Sequence, residues 1–279
     1  MVDIRYSQNF YTNKEHLREM VRRALLSSDD IVIDIGSGSG IITEELSKYS
    51  ENVIAFELDV DYFEKLKKNI PDPKVQLNNE DFLDTEPPDK DFKIFSNIPF
   101  ASTADIINKI TAVNSHLREA YLFVQKEAAE RYLGYPVNTQ IATILNSRYT
   151  ITIVEELDSR DFRPTPSVDI VLLKIAKKDK QGKEFEVYRD FITYIFNQTN
   201  SSVLDTLKKI FTEKQMPYIK KYLKEKNYSK PSEIPSEYYI EIFQYFKMNG
   251  EKYARRVRGS HLKYTQLHSK REKVHRTRI

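Results

Sequence analysis

Asn97-Ile98-Pro99-Phe100 combines three things that a pocket for a planar, amine-bearing base needs: an amide, a stiffened backbone and a flat ring. The amide oxygen of Asn97 and the main-chain carbonyl of Ile98 can both accept hydrogen bonds from an exocyclic NH2 group. Pro99 restricts the backbone between them. Phe100 offers a face on which a base can stack. The four residues follow the short run Lys93-Ile94-Phe95-Ser96, as a loop at the carboxyl edge of a strand would. A polar turn closing a buried strand would use similar residues. The neighbouring sequence decides between the two.

A second group with chemical potential is Asp34-Ile35-Gly36-Ser37-Gly38-Ser39-Gly40. Glycine at alternate positions permits a tight turn and lets backbone N–H groups approach a ligand. Glu57 ends the next β-branched run, where a carboxylate can accept hydrogen bonds from ribose hydroxyls. Asp81, in Asn79-Glu80-Asp81-Phe82, follows the third such run. Its carboxylate can accept from an adenine amine with Phe82 packed nearby, or cap a turn. Together these residues predict a cofactor with an adenosine end. NAD and S-adenosylmethionine sites share the pattern. No residue suited to hydride chemistry is evident, and the Asn97 loop falls at the next strand end, so methyl transfer is favoured.

These residues need a scaffold. From Ile31 to about Ile175, β-branched runs alternate with amphipathic helical patterns: Ile31–Ile35, Val53–Phe56, Val75–Leu77, Ile94–Phe95 and Ala120–Val124 read as strands. Such βαβα alternation predicts an α/β fold with a mostly parallel sheet. Thr150–Glu155 and Val168–Ala176 have no helix between them and read as an antiparallel pair finishing it. Lys177–Lys183 is polar and linker-like. Tyr188–Phe246 has helical spacing broken by Pro217, Pro231 and Pro235. The expected domains are 1–177, 178–250 (small, helical, RNA-binding) and a basic tail, 251–279.

The tail carries ten Lys/Arg against two acids within a chain of net charge +3, so the remainder is net acidic. A basic extension on an acidic body suggests a polyanionic partner such as nucleic acid. His261, His268 and His275 recur every seven residues but lack the close pairing of a metal motif, so no metal is expected. The chain has no cysteine, and no apolar stretch long enough to span a bilayer, so a cytoplasmic protein without a membrane partner is expected.

Ser7-Gln8-Asn9-Phe10, the Asp34–Gly40 motif, Glu57, Asp81, Asn97-Ile98-Pro99-Phe100 and Phe162-Arg163-Pro164-Thr165-Pro166 stand in the order seen in rRNA adenine N6-methyltransferases. Within that superfamily the chain most resembles the Erm methyltransferases, which modify an adenine of 23S rRNA and confer resistance to macrolides, lincosamides and streptogramin B. Ile98, where small-subunit dimethyltransferases typically have Leu, and the segment Ile210–Gln215 carry that finer likeness. The resemblance implies a Rossmann-like S-adenosylmethionine-dependent domain with a mostly parallel seven-stranded sheet, then a small α-helical domain. It also implies that the protein is a monomer acting on 23S rRNA before full ribosome assembly.

Carried over residue by residue, the resemblance implies that Asn9 and Tyr11 contact the cofactor, that Gly36 and Gly38 turn around its methionine part, and that Glu57 holds the ribose. Asp81 would hold the adenine, and Asn97 would lie between the methionine end and the target amine. Asn97, Ile98, Pro99 and Phe100 would form the catalytic loop, with Phe162 either a second stacking platform for a flipped base or an ordinary core residue. By their own chemistry, Arg160 and Arg163 can meet RNA phosphates nearby or stand as solvated surface charges. Many Erm proteins have Tyr at the position of Phe100; the phenyl ring keeps the stacking and gives up one hydrogen bond. No general base is expected, because the amine proton becomes acidic once the methyl group is attached.

Overall fold

The computed structural model of the chain describes residues 9–179, 184–198, 202–224, 226–249 and 253–267. A two-residue strand, β1 (Phe10–Tyr11), precedes α1 (Lys14–Arg23). The alternation then runs β2 (Ile31–Ile35), α2 (Ile41–Leu46), β3 (Asn52–Phe56), α3 (Val60–Asn69), β4 (Val75–Asn78), β5 (Phe92–Asn97), α4 (Thr103–Ile110) and β6 (Leu117–Gln125). Next come α5 (Lys126–Leu133), α6 (Gln140–Leu145), β7 (Tyr149–Leu157), β8 (Phe162–Arg163) and β9 (Ile170–Lys177).

Seven strands form one sheet in the order β4-β3-β2-β5-β6-β9-β7. Neighbours are parallel except β9, which runs antiparallel to both β6 and β7. The expected parallel sheet and its closing antiparallel pair are both present, with β9 inserted between β6 and β7. Strand β2 is central, with Val32 and Ile33 buried, which is why Ile31–Ile35 is an apolar run rather than an alternating one. Aliphatic side chains buried this way contribute about 1.5–3 kcal/mol each.

The strand order reverses at β2. The chain steps outward through β3 and β4, then returns to the other side of β2 as β5. The β2–β5 register ends at Ile33 and Ile94. Past that point Ser96 holds the strand ends together: its hydroxyl donates to the Ile35 carbonyl (2.7 Å) and accepts from the Ile35 N–H (3.0 Å). Crevices form where parallel neighbours leave in opposite directions, outside their carboxyl ends. The Gly-rich turn follows β2 and the Asn97 loop follows β5, so both meet there.

The chain divides into two compact units at Glu130/Arg131, Arg148/Tyr149 and Lys178/Asp179. The boundary expected after 177 lies one residue away. Residues 131–148, expected in the first domain, belong to the second. Ile144 of α6 packs with Tyr188, Phe191, Ile192 and Tyr239 in that unit's core. The second unit continues with α7 (Phe185–Phe196), α8 (Val203–Lys208), α9 (Met216–Tyr222), α10 (Ser236–Asn249) and α11 (Ala254–Val257). Pro217 lies in the first turn of α9 and Pro235 immediately precedes α10, so these prolines start helices rather than interrupt them.

The expected tail boundary at 250/251 also moves. Val257 is fully buried in the helical core. The Asp190 carboxylate on α7 accepts the N–H groups of Gly259 (2.7 Å) and His261 (2.9 Å). A helical segment at 260–267 follows. The basic run therefore begins as packed structure, because one apolar side chain and one capping acid fix it. His268 and His275 lie outside the described residues.

Candidate active site

Gly36 follows β2 with φ +72°, a conformation suited to glycine. Its N–H and that of Ser37 donate to the Phe56 carbonyl at 2.8 and 3.0 Å, pinning the turn to the end of β3. A Cβ on Gly36 would lie 3.4 Å from Pro99 Cδ, so the two loops are in van der Waals contact. Gly38 (φ +56°) is covered by the Phe10 ring: a Cβ there would come within 2.6 Å of it. Phe10 in turn packs on Tyr62, with ring centroids 4.7 Å apart.

Glu57, at the end of β3, grips the Gly turn. Its Oε2 accepts the Gly38 N–H at 2.7 Å and its Oε1 the Asp59 N–H at 2.9 Å. Burial pushes the Glu57 carboxyl above the ordinary range, against the lowering effect of those N–H donors. Each oxygen keeps a second lone pair for a ligand hydroxyl. Asp81 accepts the Leu83 N–H at 2.8 Å, so it caps the short 3-10 turn Phe82–Asp84. It also lines a cavity of about 150 Å³ with Gly36, Glu57, Phe82, Pro99 and Ile106. The carboxylate that caps the turn thus also borders the cavity.

A smaller cleft of about 30 Å³ adjoins it, lined by Asn9, Phe10, Gly36, Asn97, Ile98, Pro99 and Phe100. Gly36 and Pro99 border both spaces. The Ile98 side chain is buried, so its main chain is the part a ligand meets. Phe100 is half-buried and borders the cleft. Asn97 Nδ2 donates to the Asn9 carbonyl at 2.6 Å.

The structure therefore brings together Asn9, Gly36, Gly38, Glu57, Asp81, Asn97, Ile98, Pro99 and Phe100. It separates two others. The Tyr11 side chain points away from the crevice: it is 2% exposed, its hydroxyl pairs with His16 Nδ1 at 2.9 Å, and its ring meets Phe123 and Phe162 edge-on, which leaves only its main chain for a cofactor contact. Successive strand residues face opposite ways, so the Phe10 side chain lines the cleft while the Tyr11 ring turns into the core. That alternation was the signal that could have found Phe10. Burial, with Asp161 and Glu155 nearby, holds the Tyr11 hydroxyl well above the ordinary phenol range, so it stays neutral. Phe162 is 0% exposed, enclosed by Tyr11 and Phe123, and presents no face to an incoming base. Arg160 is paired with Asp158 (2.5 Å), while Arg163 is exposed with Nη1 donating to the carbonyls of Arg160 and Phe162.

The cavity is lined by Glu57 and Asp81, acids that can accept from hydroxyl or amine donors, beside a glycine turn in which a Cβ on Gly38 would meet the Phe10 ring at 2.6 Å and Gly36 takes φ +72°. That donor set fits S-adenosylmethionine. Sheet order and crevice define the class: a Rossmann-like, S-adenosylmethionine-dependent methyltransferase. The family described as ribosomal RNA adenine dimethylase matches residues 2–247, and the chain belongs to it. The rRNA adenine N-6-methyltransferase of Streptococcus sanguinis is 31% identical over 258 residues, 90% of this chain and 99% of that protein. The ribosomal RNA small subunit methyltransferase A of Mycoplasmopsis pulmonis is 30% identical over 231 residues, 80% of this chain and 89% of that protein. The crystal structure of 23S rRNA methyltransferase ErmE superposes with TM-score 0.76 at 21% identity, covering 85% of this chain and 98% of that one, which shows a shared fold.

Proposed function

We propose that this rRNA adenine methyltransferase transfers one or two methyl groups to N6 of a specific adenine in 23S rRNA, giving macrolide–lincosamide–streptogramin B resistance. It acts in the cytoplasm as a monomer on RNA not yet fully assembled into ribosomes. The observation that carries the chemistry is the junction at Gly36 and Pro99, which sets the amide of Asn97 beside a cavity suited to adenosine. Ile98 in the catalytic loop and the segment Ile210–Gln215 support the large-subunit substrate, while the near full-length match to the Streptococcus protein supports an rRNA adenine N6 target. The Mycoplasmopsis relative supports a second reading, a small-subunit rRNA substrate.

When bound, S-adenosylmethionine supplies an electrophilic methyl group. Glu57 would hold its ribose and Asp81 its adenine, with the Gly36–Gly38 turn against the methionine part. The target adenine leaves its stack at a cost of a few kcal/mol, offset by stacking on Phe100. Asn97 Oδ1 and the Ile98 carbonyl accept its two N6 protons. Those bonds favour a more tetrahedral nitrogen whose lone pair points along the methyl-transfer axis. Positioning and electrostatics then carry the catalysis, and the surplus proton leaves to water.

Expression in an erythromycin-sensitive bacterium tests the biological reading. Resistance to all three drug classes, with a primer-extension stop at one adenine of 23S rRNA, is expected. Modified 16S rRNA with unchanged drug sensitivity would establish the small-subunit reading instead.

A further inference from the structure

Asn97 has two chemically different ends, and only one can be useful to an amine. Its Oδ1 can accept an N6 proton; its Nδ2 would repel that proton. The group 2.6 Å from Asn97 Nδ2 is the carbonyl oxygen of Asn9, 88 residues away, which can only accept. A carbonyl at that place fixes the rotation of the amide: NH2 toward Asn9, and Oδ1 on the other side.

Asn9 is held by the strand that follows it. Tyr11 of β1 pairs with Phe162 of β8, and Phe10 pairs with Arg163. Thr12 adds two bonds to the Asp161 carbonyl, from its N–H (2.7 Å) and its hydroxyl (2.8 Å). The Tyr11 ring is wedged edge-on between Phe123 and Phe162, at centroid distances of 5.0 and 5.1 Å. A continuous path of packed and hydrogen-bonded groups therefore runs from Phe162 through Tyr11 to the Asn9 carbonyl and the Asn97 amide.

We propose that the Asn9 main-chain carbonyl sets the orientation of the catalytic Asn97 amide, and that Phe162 is a positioning residue acting through Tyr11 rather than a platform for the target base. The proposal rests on the adenine-amine chemistry of the reading above and not on which rRNA is modified. Phe162 supplies buried volume, which an aliphatic side chain can replace; a stacking platform needs a π face, which it cannot. Asn97→Asp would set a carboxylate oxygen against the Asn9 carbonyl. Only the protonated acid could then donate to Asn9 and still accept from N6.

The test measures kcat, KM for S-adenosylmethionine and KM for RNA on protein-free total rRNA, with folding checked by thermal melt. Asn97→Asp is expected to lose at least about a hundredfold in kcat at pH 8. Its rate should rise about tenfold per unit as pH falls toward the carboxyl pKa, with KM for the cofactor little changed. Glu57, Glu80 and Asp81, which border the adjoining cavity, are present in both proteins, and the wild-type profile corrects for them. Phe162→Leu should stay within about threefold of wild type, while Phe162→Ala loses kcat at unchanged KM for RNA. If the Ala variant does not fold, the folded Leu variant decides alone. An Asn97→Asp enzyme with wild-type rate and a flat profile would overturn the proposal. So would a folded Phe162→Leu enzyme that loses activity with a raised KM for RNA. Wild-type modification of 16S rather than 23S rRNA would overturn the subunit assignment and leave this comparison intact.

Discussion

Glycine and carboxylate side chains at the crevice carry costs that their ligand roles explain. Gly38 sits under the Phe10 ring, where an added Cβ would meet it at 2.6 Å in a backbone conformation of φ +56°. Gly38→Ala is therefore expected to displace Phe10, cost about 1–3 kcal/mol of stability and raise KM for S-adenosylmethionine. Calorimetry and kinetics together check this; an unchanged KM would mean that Phe10 does not close the cofactor cleft. Asp34 is a different case. It is fully buried, accepts the Thr43 hydroxyl at 2.7 Å, and burial pushes its carboxyl up to about 6. An acid whose folded pKa exceeds its unfolded value binds more protons when folded, so stability falls as pH rises from about 4 to about 6. Asparagine keeps the acceptor for Thr43 without that penalty. The unpaired Oδ1 would become an NH2 at a pH-independent cost, so the gain shows as a change with pH. The stability of Asp34→Asn relative to wild type should rise by roughly 2–3 kcal/mol from below pH 4 to above pH 6. A gain independent of pH would refute the assignment.

Elements differ in how far their own residues announce them. The runs Ile31-Val32-Ile33, Val53–Phe56 and Ala120–Val124 are legible because both faces of the sheet are covered there, leaving short continuous apolar stretches. Helix α6, Gln140–Leu145, is six residues with an apolar cluster that fits strand or helix alike, and its partners lie more than forty residues downstream. Nothing local places it in the second unit. The site shows the same division. Asn97, Glu57 and Asp81 follow strand ends, where topology alone puts them at the crevice. Strand β1 is two residues long, so its facing comes from pairing with β8, some 150 residues away, and that pairing turns Tyr11 inward and Phe10 out. The start of the basic run hides its packing for a similar reason: Val257 is one apolar residue among arginines. Deleting residues 251–279 should therefore destabilise the helical unit by at least about 1.5–3 kcal/mol, the value of one buried aliphatic side chain. It should lower the melting temperature further than deletion of 268–279 does, because only the longer deletion removes Val257 from the core. Equal melting temperatures for both truncations would contradict the packing of 253–257.

Across the whole molecule, a basic terminal run follows a net acidic body. Lys270, Arg271, Lys273, Arg276 and Arg278 all lie in 268–279. If they neutralise phosphates, removing them should flatten the dependence of RNA affinity on salt, by about 0.7–0.9 in the log–log slope for each phosphate no longer neutralised. The proposed methyl transfer to an adenine amine belongs to the crevice, where the cavity lined by Glu57 and Asp81 adjoins the cleft of Asn97. It is tested most directly by incubating the purified protein with labelled S-adenosylmethionine and protein-free 23S or 16S rRNA, followed by nucleoside mass spectrometry. The account predicts N6-methyladenosine or N6,N6-dimethyladenosine at one site of 23S rRNA, absent with folded Asn97→Ala protein. Methylation at another atom, label confined to 16S rRNA, or undiminished methylation by Asn97→Ala would contradict it.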